Sequence, residues 1–265
     1  MGHHGRMHAQ CGAASATSPD LSNADEPAQR DVEGYPRVTS FRSRRSALSS
    51  AQQRTWERLW PVYGWDARRT GGTEPMPTGQ PLDTSAWFGR DAPVVLEIGC
   101  GAGTSTLAMA QNEPDIDVIA VEVYRRGLAQ LLCAMERENV RNIRLIRGDA
   151  VDVLEHLLTP GSLTGLRVFF PDPWPKARHH KRRLLQPATV ALIADRLRPG
   201  GVLHAATDHP GYAEHIAATG DAEPRLSRID SGSRPVISVT RPMTKYETKA
   251  RHAGSAVTEL LWERC

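Results

Sequence analysis

From Ala92 onward, short apolar and β-branched runs alternate with stretches of helical period, and the first run opens into three glycines at every second position. That alternation predicts βαβ units wound around a parallel sheet. The strands are read at Val94–Ile98, Val118–Glu122, Ile143–Ile146, Val168–Phe170 and Val202–Thr207. Leu128, Leu131, Leu132 and Met135 fall at i, i+3, i+4 and i+7, and Val190, Ile193, Ala194 and Leu197 repeat that spacing before Pro199-Gly200-Gly201, where a helix should stop. Val236–Val239 and Val257–Trp262 follow without a comparable helix between every pair, so a hairpin-like end to the sheet is expected.

A chain of 265 residues, 40 % hydrophobic and 24 % charged, has material for one sizeable core or two small ones and is not a fibre. No run reaches the roughly 18 apolar residues a bilayer span needs, and residues 1–20 carry no apolar signal segment, so a cytoplasmic protein without a membrane partner is expected. The four cysteines, Cys11, Cys100, Cys133 and Cys265, never approach a C-x-x-C spacing, and beyond His4 and His8 near the start of the chain no H-x-x-x-H pair occurs. Free thiols and no metal are therefore expected.

Charge divides unevenly along the chain. Residues 1–34 hold two arginines against five acids, a balance of −3, so the rest carries +6 of the +3 total. Residues 37–69 contain eight arginines against Glu57 and Asp66, interleaved with Phe41, Trp56, Trp60, Tyr63 and Trp65, and Ser50–Trp60 can form one short helix. The reading is a disordered leader over 1–35, a basic arm and linker over 36–81, and the sheet domain over 82–265. A second cationic group runs from Lys176 to Arg183. Two such groups fit a polyanionic partner, or merely a solvated surface, since only four of the 33 basic residues are lysine.

The glycines lie in Glu97-Ile98-Gly99-Cys100-Gly101-Ala102-Gly103-Thr104. Gly99, Gly101 and Gly103 allow a sharp turn and leave no Cβ between the loop and a ligand over the following helix N-terminus. The spacing differs from the dinucleotide G-x-G-x-x-G, and no P-loop lysine follows. Glu122 closes the second strand, where a carboxylate can accept ribose hydroxyls, and Asp149 follows the third. With Glu97 and Asp172, four carboxylates would ring one pocket. They would repel a pyrophosphate and accept a sulfonium and an ammonium, which selects S-adenosylmethionine over NAD. The plainer alternative is a tight strand-to-helix turn with acids as caps.

The fourth strand runs into Phe169-Phe170-Pro171-Asp172-Pro173-Trp174-Pro175-Lys176-Ala177-Arg178-His179-His180-Lys181-Arg182-Arg183. Three prolines in five residues make a stiff ledge holding Asp172 and Trp174. The aspartate can bond a base edge while the indole stacks on a ring, and the cations can grip phosphates. A proline-rich surface loop with a buried tryptophan is the alternative. His179, His180, His204 and His209 could form an acid–base pair, although the two beside Arg178 and Lys181 better suit phosphate contacts.

Together E-I-G-C-G-A-G, G-D-A, P-D-P-W-P-K-x-R-H-x-K-R-R, Ala206-Thr207-Asp208 and Thr244-Lys245-Tyr246-Glu247 resemble the bacterial tRNA (guanine-N7-)-methyltransferase family over residues 37–264. The resemblance implies a Rossmann-like class I methyltransferase with a seven-stranded, mostly parallel sheet, its last strand antiparallel, flanked by helices. It implies methyl transfer from S-adenosylmethionine to N7 of tRNA guanine 46, leaving S-adenosylhomocysteine, with tRNA rather than DNA as partner. By position it assigns Asp172 to catalysis and Glu97, Gly99, Gly101, Gly103, Glu122, Asp149 and Asp172 to the cofactor. Lys176, Asp208, Thr244, Lys245, Tyr246 and Glu247 would meet the substrate, with Arg178, His179, His180, Lys181, Arg182 and Arg183 on the RNA backbone. Two other readings stay open: an exocyclic-nitrogen methyltransferase of RNA or protein, and a non-catalytic RNA-binding module.

Overall fold

The computed structural model describes Met1 and residues 47–67, 81–230, 232–233, 235–242 and 256–265. Packing divides the chain into Met1–Arg37 and Val38–Cys265, and every described residue except Met1 lies in the second unit. The expectations for the leader, the arm before residue 47, most of the linker, and Thr244–Glu247 fall outside the described residues.

In the second unit, α1 (Ser50–Tyr63) begins at a capping box: Gln52 N–H donates to Ser49 Oγ, and Ser49 N–H to Gln52 Oε1. It continues past the expected Trp60 through Pro61, and buries Trp56 and Tyr63. β1 (Gly64–Asp66) and the short α2 (Thr84–Phe88) follow. The βα alternation then runs β2 (Val94–Ile98), α3 (Thr104–Asn112), β3 (Asp117–Glu122), α4 (Arg125–Arg137), β4 (Ile143–Arg147), α5 (Ala150–His156) and β5 (Leu163–Phe169). After a 3-10 turn at Ala177–Arg182 come α6 (Pro187–Arg196), β6 (Leu197–Thr207), α7 (Pro210–Ala222), β7 (Leu226–Ile229) and β8 (Thr258–Arg264).

The strands form one sheet in the order β1-β4-β3-β2-β5-β6-β8-β7. Pairings from β1 through β6 are parallel, while β8 runs antiparallel to both β6 and β7. Every residue of β2, β3 and β5 is buried, as expected for parallel strands covered on both faces. Strand order reverses at β2, whose neighbours are β3 on one side and β5 on the other. A sheet of this kind offers its ligand crevice there, at the carboxyl ends of the strands.

Three expectations are corrected. The described sheet has eight strands rather than seven, because Gly64–Asp66, from the arm, pairs with β4. Val236–Val239 is not a strand. Its Ile237 is buried instead against Gly165 of β5, where a Cβ would come within 2.5 Å of Ile237 Cδ1, and the strand beside β8 is Leu226–Ile229. Pro199-Gly200-Gly201 does not stop α6, which ends at Arg196. These residues lie within β6, where the pairing with β5 shifts register and Gly200 has φ +76°. No described helix is long and apolar enough to cross a membrane, and Cys100, Cys133 and Cys265 are free thiols.

Candidate active site

A cavity of about 310 Å³ opens at the switch point, within the range of small-molecule sites. Ile98, Gly99 and Gly101 border it from β2 and its loop, Glu122 to Tyr124 from β3, Gly148 and Ala150 from beyond β4, and Phe169 to Asp172 from beyond β5. Gly99 and Gly101 have φ +74° and +56°, and a Cβ on either would meet no atom within 4 Å. These positions need glycine for their backbone conformation and leave open space beside the loop. Gly103 shares that conformation, with φ +76°, and its Cβ would in addition lie 2.5 Å from Leu131 Cδ1, so the third glycine also serves packing against α4.

Glu122 is the anchor of the loop. Its Oε2 accepts from Gly101 N–H at 3.0 Å, and its Oε1 accepts from Val123 and Tyr124 N–H at 2.7 and 3.0 Å. A carboxylate has about four lone-pair sites, so roughly one remains, on Oε2, for a ligand hydroxyl. Burial raises its pKa, the three backbone donors oppose this, and the Asp172 charge raises it further. Two acids therefore share the cavity, one 7 % exposed and one at the exposed lip.

The P-D-P-W segment explains its own rigidity. Phe170 and Trp174 have φ +52° and +44°, uncommon for bulky residues, and each precedes a proline that disfavours the right-handed helical alternative. Trp174 is 3 % exposed, with the Arg182 guanidinium 4.3 Å above its ring and His179 edge-on at 5.8 Å. The indole is thus a buried prop rather than a platform for a base. Arg183 is likewise turned inward, 4 % exposed. It donates from Nε to Pro173 O and from Nη1 to Gly211 O, and covers the Tyr212 ring. Burial lowers its pKa. It pins the loop to α7 instead of meeting an RNA phosphate. Lys176, Arg178 and Lys181 remain exposed, while His179, His180 and Arg182 are half-buried.

The remaining acids separate from the cavity wall. Asp149 caps α5, its Oδ1 accepting from Val151 N–H at 2.9 Å, while its neighbours Gly148 and Ala150 border the cavity. Glu97 is 3 % exposed beneath the loop and opposite Arg167 in the β2–β5 register, outside the cavity lining. Burial pushes its pKa up to about 7, against the Arg167 charge and the Thr106 hydroxyl. From its ordinary value of 4.5 up to about 7, the unfolded chain releases a proton that the folded chain keeps, so this group costs stability as pH rises through that window. Glu97→Gln should therefore gain about 3 kcal/mol over the natural chain at pH 8. The gain should vanish below pH about 4.5, where both states hold the proton. Denaturant melts at the two pH values check this, and an equal difference at both would refute it.

Asp208 follows β6 at the same sheet edge, half-exposed. None of the described histidines borders the cavity. His204 is buried on Glu259, and His209 caps α7 through Nδ1. Sequence reading passed over Gly127, in the first turn of α4, whose Cβ would stand 2.2 Å from the Gly101 carbonyl oxygen. A glycine inside a helix costs about 1 kcal/mol relative to alanine, and that cost was the available signal. Tyr124, Phe170 and Leu184 also border the cavity, and nothing in their spacing announced it.

Residues 91–260 match the protein family described as "Putative methyltransferase", and with the sheet order and glycine loop this defines a Rossmann-like, class I methyltransferase. Over its full length the chain is 66 % identical to the tRNA (guanine-N(7)-)-methyltransferase of Mycobacterium avium (strain 104), covering 100 % of both chains. It is 63 % identical to those of Mycobacterium ulcerans (strain Agy99) and Mycobacterium tuberculosis (strain ATCC 25177 / H37Ra), with 100 % of this chain and 99 % and 96 % of theirs covered. The chain belongs to the tRNA (guanine-N(7)-)-methyltransferase family.

Proposed function

We propose that this chain methylates N7 of the variable-loop guanine, position 46, in tRNA, using S-adenosylmethionine and releasing S-adenosylhomocysteine in the cytoplasm. The observation that carries the reading is one cavity bordered by the open-faced glycines, the hydrogen-bonded Glu122 and the rigidly held Asp172. The residues fit the cofactor: Gly99 and Gly101 leave room for it, Glu122 keeps acceptor capacity for a ribose hydroxyl, and the acids favour a cation. When bound, S-adenosylmethionine supplies an electrophilic methyl group on a positively charged sulfur.

This chain's residues then need to align and to stabilise charge. Guanine N7 has an in-plane lone pair and no proton, so no general base is required. Asp172, held by Pro171 and Pro173, puts a fixed negative charge where positive charge arrives on the purine. It also accepts from the guanine N1–H and exocyclic amine, a donor pair that adenine lacks. Lys176, Asp208 and Thr244 to Glu247 are assigned to the substrate, and the exposed Arg178 and Lys181 to the RNA backbone. The domain reading accompanies this one: 82–265 catalyses, and the basic arm within 36–81 adds cations against tRNA.

Incubating the protein with labelled methyl donor and unmodified tRNA transcripts should place the label on one variable-loop guanine as N7-methylguanosine. Label on an exocyclic nitrogen would overturn the assignment, and absence of transfer with intact tRNA binding would point to the non-catalytic reading.

A further inference from the structure

Phe170 sits in a conformation that an aromatic side chain rarely adopts, directly before Pro171 and Asp172. Its N–H donates to Ala206 O of β6 at 2.8 Å, which fixes the backbone on one side. The ring is held from the other. The Arg241 guanidinium lies 4.9 Å from the Phe170 centroid and 5.7 Å from that of Phe169, with its side chain only 2 % exposed. Glu259 of β8 aims that guanidinium: Oε1 accepts from Arg241 Nη2 at 3.0 Å, and Oε2 contacts His204 Nε2 at 2.8 Å.

The segment carrying Arg241 is itself moored. Ser238 N–H donates to Glu113 Oε1 at 2.6 Å, and Ser238 O accepts from the fully buried Arg167, which also pairs with Glu113. Residues 235–242 are therefore tied to the sheet face at one end and to the P-D-P-W ledge at the other. A desolvated cation over an aromatic ring is a stronger contact than an exposed one. Here the contact falls on a residue of positive φ that borders the cavity.

We propose that Arg241 is a positioning residue for methyl transfer: clamped by Glu259, it braces Phe170 in its left-handed conformation and so sets Asp172 at the cavity lip. The proposal rests on the assignment of Asp172 to the reaction. Arg241 touches neither substrate nor cofactor in this scheme.

The test is steady-state kinetics on R241A, R241K, E259Q, F170G, R241A/F170G and D172N, with the full chain and unmodified tRNA. R241A should lower kcat about 10- to 100-fold, the cost of a misplaced catalytic group, with KM for donor and tRNA within about twofold. R241K, which keeps a cation over the ring, should recover part of that loss. Glycine adopts positive φ without help, so in the F170G background the added R241A change should alter kcat by less than about twofold. An R241A kcat within about twofold of the natural chain, or the same loss in both backgrounds, overturns the proposal. Should R241A fail to fold, E259Q must reproduce the selective kcat loss, and its failure to do so is equally fatal. Full activity in D172N would remove the Asp172 assignment itself, whereas an inactive D172N beside a normal R241A would remove only the brace.

Discussion

Asp172→Asn should slow methyl transfer by about 100- to 1,000-fold, the scale on which single preorganised electrostatic groups act in catalysis. The substitution keeps shape and removes charge. Asp172 is exposed at the lip and its loop is fixed by prolines, so folding should be nearly unaffected. The donor should still bind, because the glycine loop and Glu122 hold their geometry through backbone bonds that do not involve Asp172. The loss should appear mainly in single-turnover rate, with a smaller loss of donor affinity by calorimetry, because one of the two acids that favour a cationic donor in the cavity is neutralised. Guanine selectivity should fall as well, since an asparagine amide presents a donor where the carboxylate offered only acceptors. An asparagine variant that keeps both rate and selectivity would end this assignment.

Gly127→Ala should weaken donor binding as strongly as a direct change in the loop, although Gly127 lies on α4. The added methyl would stand 2.2 Å from the Gly101 carbonyl oxygen and 2.9 Å from its carbon, both backbone atoms that cannot swing aside as a side chain would. The loop must shift, and with it the Gly101 N–H that Glu122 holds. Overpacking of this kind costs about 1–3 kcal/mol. At tenfold per 1.4 kcal/mol, that is roughly 5- to 150-fold in donor affinity. Gly211→Ala, where the nearest atom is 3.6 Å away, is the matched control and should bind the donor normally. Equal affinities for the two variants would show that the α4 contact does not govern the loop.

The parallel half of the sheet was legible because its strands are short apolar runs bounded by breakers. Val94–Ile98 lies between Pro93 and Gly99, and its observed bounds match the reading. The edges were not. Gly64–Asp66 is three residues long and exists only because β4 offers it a partner, and β7 exposes two of its four residues. Val236–Val239 has strand-like composition, yet Ile237 is spent filling the space that Gly165 leaves on β5. Within the site, the glycine loop, Glu122 and Asp172 could be read from spacing, because each sits at the end of a recognisable strand. Trp174 and Arg183 could not. An indole in a proline-rich loop, or one arginine in a run of cations, faces solvent or the interior according to tertiary neighbours such as Arg182, Gly211 and Tyr212, which local sequence does not announce.

The placement of β8 between β6 and β7 bears on how the protein is made. Synthesis delivers β6 and β7 first, and the strand that joins them comes only after a further stretch of polypeptide has been translated. Until Thr258–Arg264 clears the ribosome, the nascent chain carries an open β6 border of the kind that recruits other chains. Glu259 arrives on that same strand, so a ribosome stalled before it would expose the glycine loop on an unfinished sheet, one that chaperones rather than tRNA would meet first.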